Sequence, residues 1–312
     1  MTYVHFIGID VSKEWFDVAV HASAAKPQRF QNCSEGFAAM RRHYAAQLPE
    51  ALVVLESTGG YESALIATLL QARIGVHRAD PLTARHFIRS LGKRAKTDQL
   101  DARALARYGY ERQHVLTLCR IPDPAQAMLS LLLARRADLV AMRVAEQTRR
   151  QHPNYARLKQ RLNAMLAFLK GQIVEIESEI AALIELSPAM TQKYAVMTGV
   201  KGIGKHTAFT LLACMPELGS LTRRQAASLA GVAPHAKDSG KTSRYRTTSG
   251  GRAIVKRSLF MAAMAARRFN PDLRAFYERL IGNGKKPMLA LTAIMRKLIT
   301  ILNAKLRDYA NA

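Results

Sequence analysis

Acidic residues are scarce in this chain. Against 47 Lys and Arg there are 23 Asp and Glu in 312 residues, a formal net charge of +24. Such an excess repels itself and persists where the partner is a polyanion, so nucleic acid is the expected ligand. Cysteine is nearly absent. Cys33, Cys119 and Cys214 lie far apart with no Cys-x-x-Cys pair. This spacing argues against a disulfide framework and a structural zinc, and it fits a reducing cytoplasm. No apolar run reads as long enough to cross a bilayer; the stretch Leu129–Ala134 stops at Arg135 and Arg136, so no membrane partner is expected. The first residues are strand-like, Val4–Ile9 followed by Asp10, and not of signal-peptide type. The length suits about two domains, and the 49% hydrophobic content excludes wholesale disorder.

The positive charge is uneven. Residues 191–312 hold 22 basic and 5 acidic side chains, a net of +17, whereas 1–190 hold 25 and 18, a net of +7. The pattern changes along the chain in the same way. Residues 3–9 and 15–21 read as two strands joined by a short gap, 28–32 as a third, 51–55 as an apolar strand ending at Glu56, and 75–78 as another. Helical spacing covers 35–48, 61–72 and 82–91. The expectation for 1–120 is a mixed α/β layer. Residues 121–190 are rich in Leu, Ala, Met and Arg. Leu158, Leu162, Met165, Leu166, Leu169, Ile173, Ile176 and Ile180 recur at three and four, which predicts a helical hairpin or coiled-coil arm serving as spacer or dimerisation element. Residues 191–312 read as mainly helical and basic.

Among so few acids, four stand out. Asp10 ends the first strand and Glu56 a later one. Asp98 and Asp101 are spaced i, i+3 and share a helix face. Mg²⁺ takes oxygen ligands, and two-metal phosphoryl transfer needs several carboxylates around closely spaced ions. Singly, each has a plainer reading: Asp98 as an N-cap, Asp101 as a partner of the helix dipole, Asp10 as a turn cap. Arg85, Arg89, Lys93, Arg94 and Lys96 surround the pair, with no acid in 81–97, and would hold phosphates beside the metal.

Two further segments carry chemistry. Gly202-Ile203-Gly204, flanked by Lys201 and Lys205, reads as a helix-hairpin-helix turn that meets a phosphate with backbone N–H groups, or as an ordinary turn needing positive φ. Residues 230–257 read as a loop. Lys241, Arg244, Arg246, Arg252, Lys256 and Arg257 lie in 241–257 with no acid. Hydroxyls abound there; Ser239 sits on a sharp turn between Asp238 and Gly240. A serine attacking phosphorus must lose its proton, to Asp238 or a metal-bound water, and the charge on phosphorus must be neutralised by the neighbouring bases. The residues alone do not choose Ser239 over Thr242, Ser243, Thr247, Thr248 or Ser249.

In combination, GID at 8–10, LESTGGYE at 55–62, KTDQLDA at 96–102, GIGKHTA at 202–208 and GVAP…DSGK at 231–241 resemble the DEDD transposases of the bridge-RNA-guided insertion sequences, related to the Piv-type DNA invertases. The resemblance runs through nearly the whole chain. It implies a RuvC-like, RNase-H-type domain at 1–120 whose Mg²⁺-binding tetrad is Asp10, Glu56, Asp98 and Asp101. It implies a coiled-coil arm at 121–190 used in assembly, and a transposase domain at 191–312 with Ser239 as nucleophile. The implied partners are donor and target DNA, a structured noncoding guide RNA, and further copies of the chain, as a dimer or a tetramer on DNA. The implied setting is bacterial cytoplasm at the nucleoid. A phosphoserine link would conserve the energy of the broken bond, so rejoining would need no ATP. With tetrad and serine in different domains, a site composed from two protomers is expected. The rival readings are a metal-only nuclease or junction resolvase, a sugar-kinase-like ATPase and an RNA-binding scaffold. The ATPase lacks its phosphate turn, since Val11-Ser12-Lys13-Glu14 follows Asp10.

Overall fold

The computed structural model describes residues 3–91, 98–121, 123–235 and 247–311, with the backbone alone for 98–100 and 235. The chain divides into two compact units, Met1–Pro122 and Asp123–Ala312.

The first unit is a five-stranded mixed sheet. Its elements are β1 (His5–Val11), β2 (Trp15–Val20), β3 (Gln28–Gln31), α1 (Ser34–His43), β4 (Ala51–Glu56), α2 (Ser63–Gln71), β5 (Gly75–Ala79), α3 (Pro81–Ser90) and α4 (Asp98–Arg112). The sheet order is β3-β2-β1-β4-β5. β1 pairs antiparallel with β2 and parallel with β4. The tight β1–β2 hairpin is closed by Ser12, whose Oγ donates to the Trp15 carbonyl at 2.8 Å. Because Val11 still pairs with Phe16, β1 runs two residues beyond the expected 3–9, and Asp10 lies inside the strand and not beyond its end.

The middles of the central strands, residues 6–9 of β1 and 51–55 of β4, are apolar because both faces are covered. Alternate residues point to opposite faces. Ile7, Ile9 and Val11 of β1 join Val53 and Leu55 of β4 against Phe37, Met40, Leu65 and Leu69. Phe6, Leu52 and Val54 face the other way, onto Leu105, Tyr108 and Ala84. Gly8 lies on that second face. α4 crosses there so closely that a Cβ on Gly8 would collide with the Ala102 carbonyl oxygen and the Ala106 amide nitrogen and stand 2.9 Å from the Leu105 carbonyl carbon. One turn pair further on, Gly109 faces Val54 and Phe6. α4 therefore runs opposite to β1, and its first turn lies toward the Asp10 end of the strand.

The second unit is mainly helical, as expected. It begins with two long helices, α5 (Pro124–Gln151) and α6 (Lys159–Glu185). Leu129, Leu133 and Leu139 share a core with Leu169, Ile173, Ile176, Ile180 and Ile184. The expected apolar seam is thus seen from Leu162 onward, but Leu158 and Met165 are exposed. Leu158 belongs to the 3₁₀ turn Pro153–Leu158 that joins the helices, and Met165 lies off the buried stripe. There follow α7 (Pro188–Thr198), α8 (Lys205–Cys214), α9 (Arg223–Leu229), β6 (Pro234–His235), β7 (Thr247–Thr248), α10 (Ala253–Phe269), α11 (Pro271–Gly282) and α12 (Pro287–Ala310).

The structure departs from the sequence expectation at two places in this unit. The segment 230–257 is not all loop. β6 and β7 pair antiparallel, Gly250 and Gly251 turn the chain at φ +69° and +71°, and α10 starts at Ala253 because Val255, Leu259, Ala262, Ala263 and Ala266 form a buried stripe. Lys256 and Arg257 are consequently helical. Second, α12 is long and apolar enough to cross a membrane, although no run in the sequence read so. It is a core helix: Ala290, Leu291, Ile294, Leu298, Ile299, Leu302 and Leu306 are buried. Its buried Asn303 is fully engaged, accepting from the Gly219 amide at 2.9 Å and donating to the Leu221 carbonyl at 2.7 Å.

Candidate functional site

Strand parity and one helix crossing decide where the acids stand. Asp10 is two residues beyond Gly8 and shares its face. Glu56 ends β4 one position past the Ile9–Leu55 pair and two past Val54, so it stands on the same face. Asp101 is the residue before Ala102, which lies over Gly8, and Asp98 opens α4 one turn earlier. Three of the four expected acids, Asp10, Glu56 and Asp101, are half-buried; the Asp98 side chain lies outside the described residues. The donor set contains oxygen only, which suits a hard cation. Among the described residues, no three His, Cys, Asp or Glu side chains gather into a metal-holding group; the fourth carboxylate is not among them.

Two further acids of the first unit were not singled out in the sequence. Asp17 of β2 is the cross-strand partner of Asp10. It is 2% exposed, and Arg29 of β3 covers it with Nη2 at 2.7 Å and Nε at 3.2 Å. Its signal was a lone polar residue in the apolar run WFDVAV. Glu62 is 1% exposed and lies under the glycine turn that follows Glu56. Its Oε2 accepts from the amides of Thr58 at 3.1 Å and Gly60 at 3.0 Å, and Oε1 accepts from the Ser57 hydroxyl. Gly59 and Gly60 both have positive φ, the geometry that aims these amides inward. Burial alone would raise the Glu62 pKa. The backbone donors and the Arg78 charge, 3.7 Å away, outweigh it and hold the carboxyl below its ordinary value. The signal for Glu62 was its place in LESTGGYE.

In the second unit, the ends of the expected serine loop are held by β6 and β7. Ser239, Lys241, Arg244 and Arg246 lie outside the described residues, as do Lys93, Arg94 and Lys96. The other basic residues expected to touch nucleic acid are described. Lys201 and Arg257 are exposed. Lys256 donates to the Thr248 hydroxyl at 3.1 Å, bracing β7 from α10. Arg252 is engaged internally, paired with Glu217 at 2.6 Å and bonded to the Cys214 carbonyl. Lys205 is paired with Glu177 of α6 at 2.9 Å.

That Glu177 pair is part of a cluster joining α5, α6 and α8. Arg136 Nη2 is 2.7 Å from Glu177 Oε1, and His206 Nε2 is 3.5 Å from the same oxygen. Burial would raise the Glu177 pKa, but the Lys205 and Arg136 donors and the neighbouring His206 pull it below its ordinary value. Burial lowers the His206 pKa, with Arg136 adding to it and Glu177 opposing. The helix–turn–helix at 188–214 is present, with Gly202 at φ +106°. A Cβ on Gly202 would stand 2.7 Å from Ala266 Cα, so the turn needs glycine for contact as well as for conformation.

Comparison with known proteins adds a whole-chain pattern. Residues 7–169 match the model of the DEDD transposases of the IS110 type, described as "Transposase", and residues 194–278 match the model described as "Transposase IS116/IS110/IS902 family". The chain is similar to the pilin gene-inverting protein of Moraxella bovis, 28% identical over 97% of this chain and 96% of that protein. The pilin gene-inverting protein of Moraxella lacunata matches at 28% over the same shares. The insertion element IS110 uncharacterized 43.6 kDa protein of Streptomyces coelicolor is 35% identical over 47% of this chain and 36% of its own length.

Proposed function

This chain belongs to the IS110 family of transposases and is an enzyme of DNA recombination, and from that premise we propose a two-part mechanism of strand cleavage and rejoining. The first unit acts as a RuvC-like domain. The sheet order, with an antiparallel hairpin beside two parallel strands and a helix crossing one face, supports that assignment. The observation that carries it is the Gly8–Ala102 crossing, which sets the helix of Asp98 and Asp101 against the strands of Asp10 and Glu56 on one face. Those four carboxylates would hold Mg²⁺. Bound there, the ion supplies charge neutralisation at the scissile phosphate.

Ser239 is the nucleophile. Its Oγ bonds to phosphorus as the P–O bond to one deoxyribose oxygen breaks. The serine proton passes to a base such as Asp238, and the departing oxygen takes up a proton. The result is a phosphoserine–DNA link and a free hydroxyl end. Attack of another strand's hydroxyl on that phosphorus reverses each change and frees Ser239, with no net loss of phosphodiester bonds. Basic residues of 241–257 stabilise the charge on phosphorus. The +17 excess of residues 191–312 supports DNA as partner, and a structured guide RNA would supply the sequence reading by base pairing. The chain acts as a homo-oligomer in the bacterial cytoplasm.

Denaturing electrophoresis of the reaction tests this reading. Wild-type chain should carry covalently attached DNA, and Ser239→Ala should lose both the adduct and strand joining while retaining DNA binding. Asp98→Ala and chelation of Mg²⁺ should each stop cleavage. Full cleavage by Ser239→Ala would replace this mechanism with a metal-only nuclease. Sequencing the nucleic acid that copurifies should return one discrete structured RNA; bulk host RNA alone would refute guidance.

A further inference from the structure

A cavity of about 610 Å³ opens between the β6–β7 pair and the first turns of α12. Pro234, Thr247 and Thr248 form one wall, and Met288, Leu289 and Arg296 belong to the other. The same two strands hold both ends of residues 236–246, which include Ser239. The cavity therefore adjoins the two strands between which residues 236–246 run in the chain.

Its chemistry is two-sided. Its only charged liners among the described residues are Lys286 and Arg296, both cationic. Lys286 is the N-cap of α12 and makes no side-chain cap there, so the positive end of a 24-residue helix opens at the rim. Arg296 Nε is buried and has no hydrogen-bond partner among the described residues. A buried guanidinium N–H without an acceptor is costly, and Arg296 is one of the residues that line the cavity. The rest of the described lining is uncharged: Thr247, Thr248 and Thr292 beside apolar side chains. Met288 is 61% exposed, a large side chain presented to solvent at the mouth, with half-buried Leu289 beside it and buried Val232 also in the lining. A cationic edge beside an apolar wall matches the phosphate and base of one nucleotide, and the volume falls within the usual range for small-ligand sites.

We propose that this cavity seats one nucleotide of the DNA strand, phosphate on Lys286 and Arg296 and base against Met288 and Leu289. The inference rests on the reading that Ser239 attacks that strand. Among the described residues no aromatic side chain lines the cavity, and its two cations address the phosphate, which leaves sequence choice to base pairing elsewhere.

Photocrosslinking tests it on the full chain. The probe is a single-stranded thymidine dodecamer carrying one 4-thiothymidine, irradiated with Ser239→Ala protein so that no cleavage intervenes. The expected adduct maps to the peptide containing Met288 and Leu289. Lys286→Gln, at an exposed position, and Arg296→Gln should each lower that adduct at least fivefold, while total oligonucleotide retention falls less than twofold. Adducts confined to other peptides, or an unchanged yield in both variants, would overturn the proposal. The adduct in a chain whose wild type never links covalently to DNA would keep the cavity and refute the serine mechanism; covalent DNA with the cavity unlabelled would do the reverse.

Discussion

Asp17 stands directly across the β1–β2 hairpin from Asp10, and Arg29 on the next strand covers it. Two carboxylates facing one another on neighbouring strands repel. The guanidinium on Asp17 offsets that repulsion, so Asp10 keeps a position beside another acid. Arg29→Met should lower stability by about 1–3 kcal/mol, because the nearly inaccessible Asp17 loses its donors. Asp17→Asn should cost less, since it removes the charge as well. Thermal unfolding of the two variants checks the order; equal costs would refute the electrostatic account.

Gly8 sets the distance between α4 and the sheet. Gly8→Ala places a methyl group against helix backbone, not a movable side chain tip. The cost should be on the order of 3 kcal/mol, with α4 pushed outward and Asp98 and Asp101 carried away from Asp10. DNA cleavage should fall by far more than DNA binding does. A variant that cleaves at the parental rate would show that this crossing does not position the acids.

Glu62 holds the turn after Glu56. Glu62→Ala leaves the Thr58 and Gly60 amides without their acceptor, at a cost of roughly 1–3 kcal/mol each where water cannot replace it. Glu62→Gln retains a carbonyl oxygen and should recover part of that loss. The Arg78 pair contributes little, because Arg78 is half exposed. Differential scanning calorimetry should rank the chains as wild type, Gln, then Ala.

The Glu177 cluster gives a pH dependence of known sign. Both Glu177 and His206 have folded pKa values below their ordinary 4.5 and 6.5. Each therefore prefers its deprotonated form in the fold. Each contributes stability that is complete above the unfolded value and is lost as the pH falls through the folded one. The unfolding midpoint should drop between pH 7 and pH 4. His206→Gln should flatten the curve below pH 6.5 and Glu177→Gln below pH 4.5, both relative to the parent. Variant curves that run parallel to the parent's would refute this.

Much of the fold is legible in the chain itself. The strands at 15–20 and 51–56 follow from short apolar runs between turn residues, those at 28–31 and 75–79 from short segments between turn signals, and α5 and α6 from apolar spacing at three and four. The four acids stood out because acids are few. The serine region was less legible, since glycines at 250 and 251 signal a turn while the apolar stripe from Val255 that makes α10 helical lies partly within the charged stretch. Lys205 and Arg252 read as phosphate binders, yet each meets a carboxylate within the second unit. Nothing local announces such a pair, because Glu177 is 28 residues from Lys205.

What the sequence by itself determined is chemistry and local period: the polycationic balance, the carboxylates, the hydroxyl-rich basic segment and the order of strands and helices. These depend on side-chain type and on spacing over a few residues, which any segment carries with it. Tertiary structure alone decided that Asp10, Glu56 and the first turn of α4 share one sheet face. It alone decided that Asp17 and Glu62 are buried and satisfied, and that α12 is a core helix. Those outcomes depend on how closely distant segments approach, as at Gly8 and Ala102, and burial is a property of the packed surfaces together.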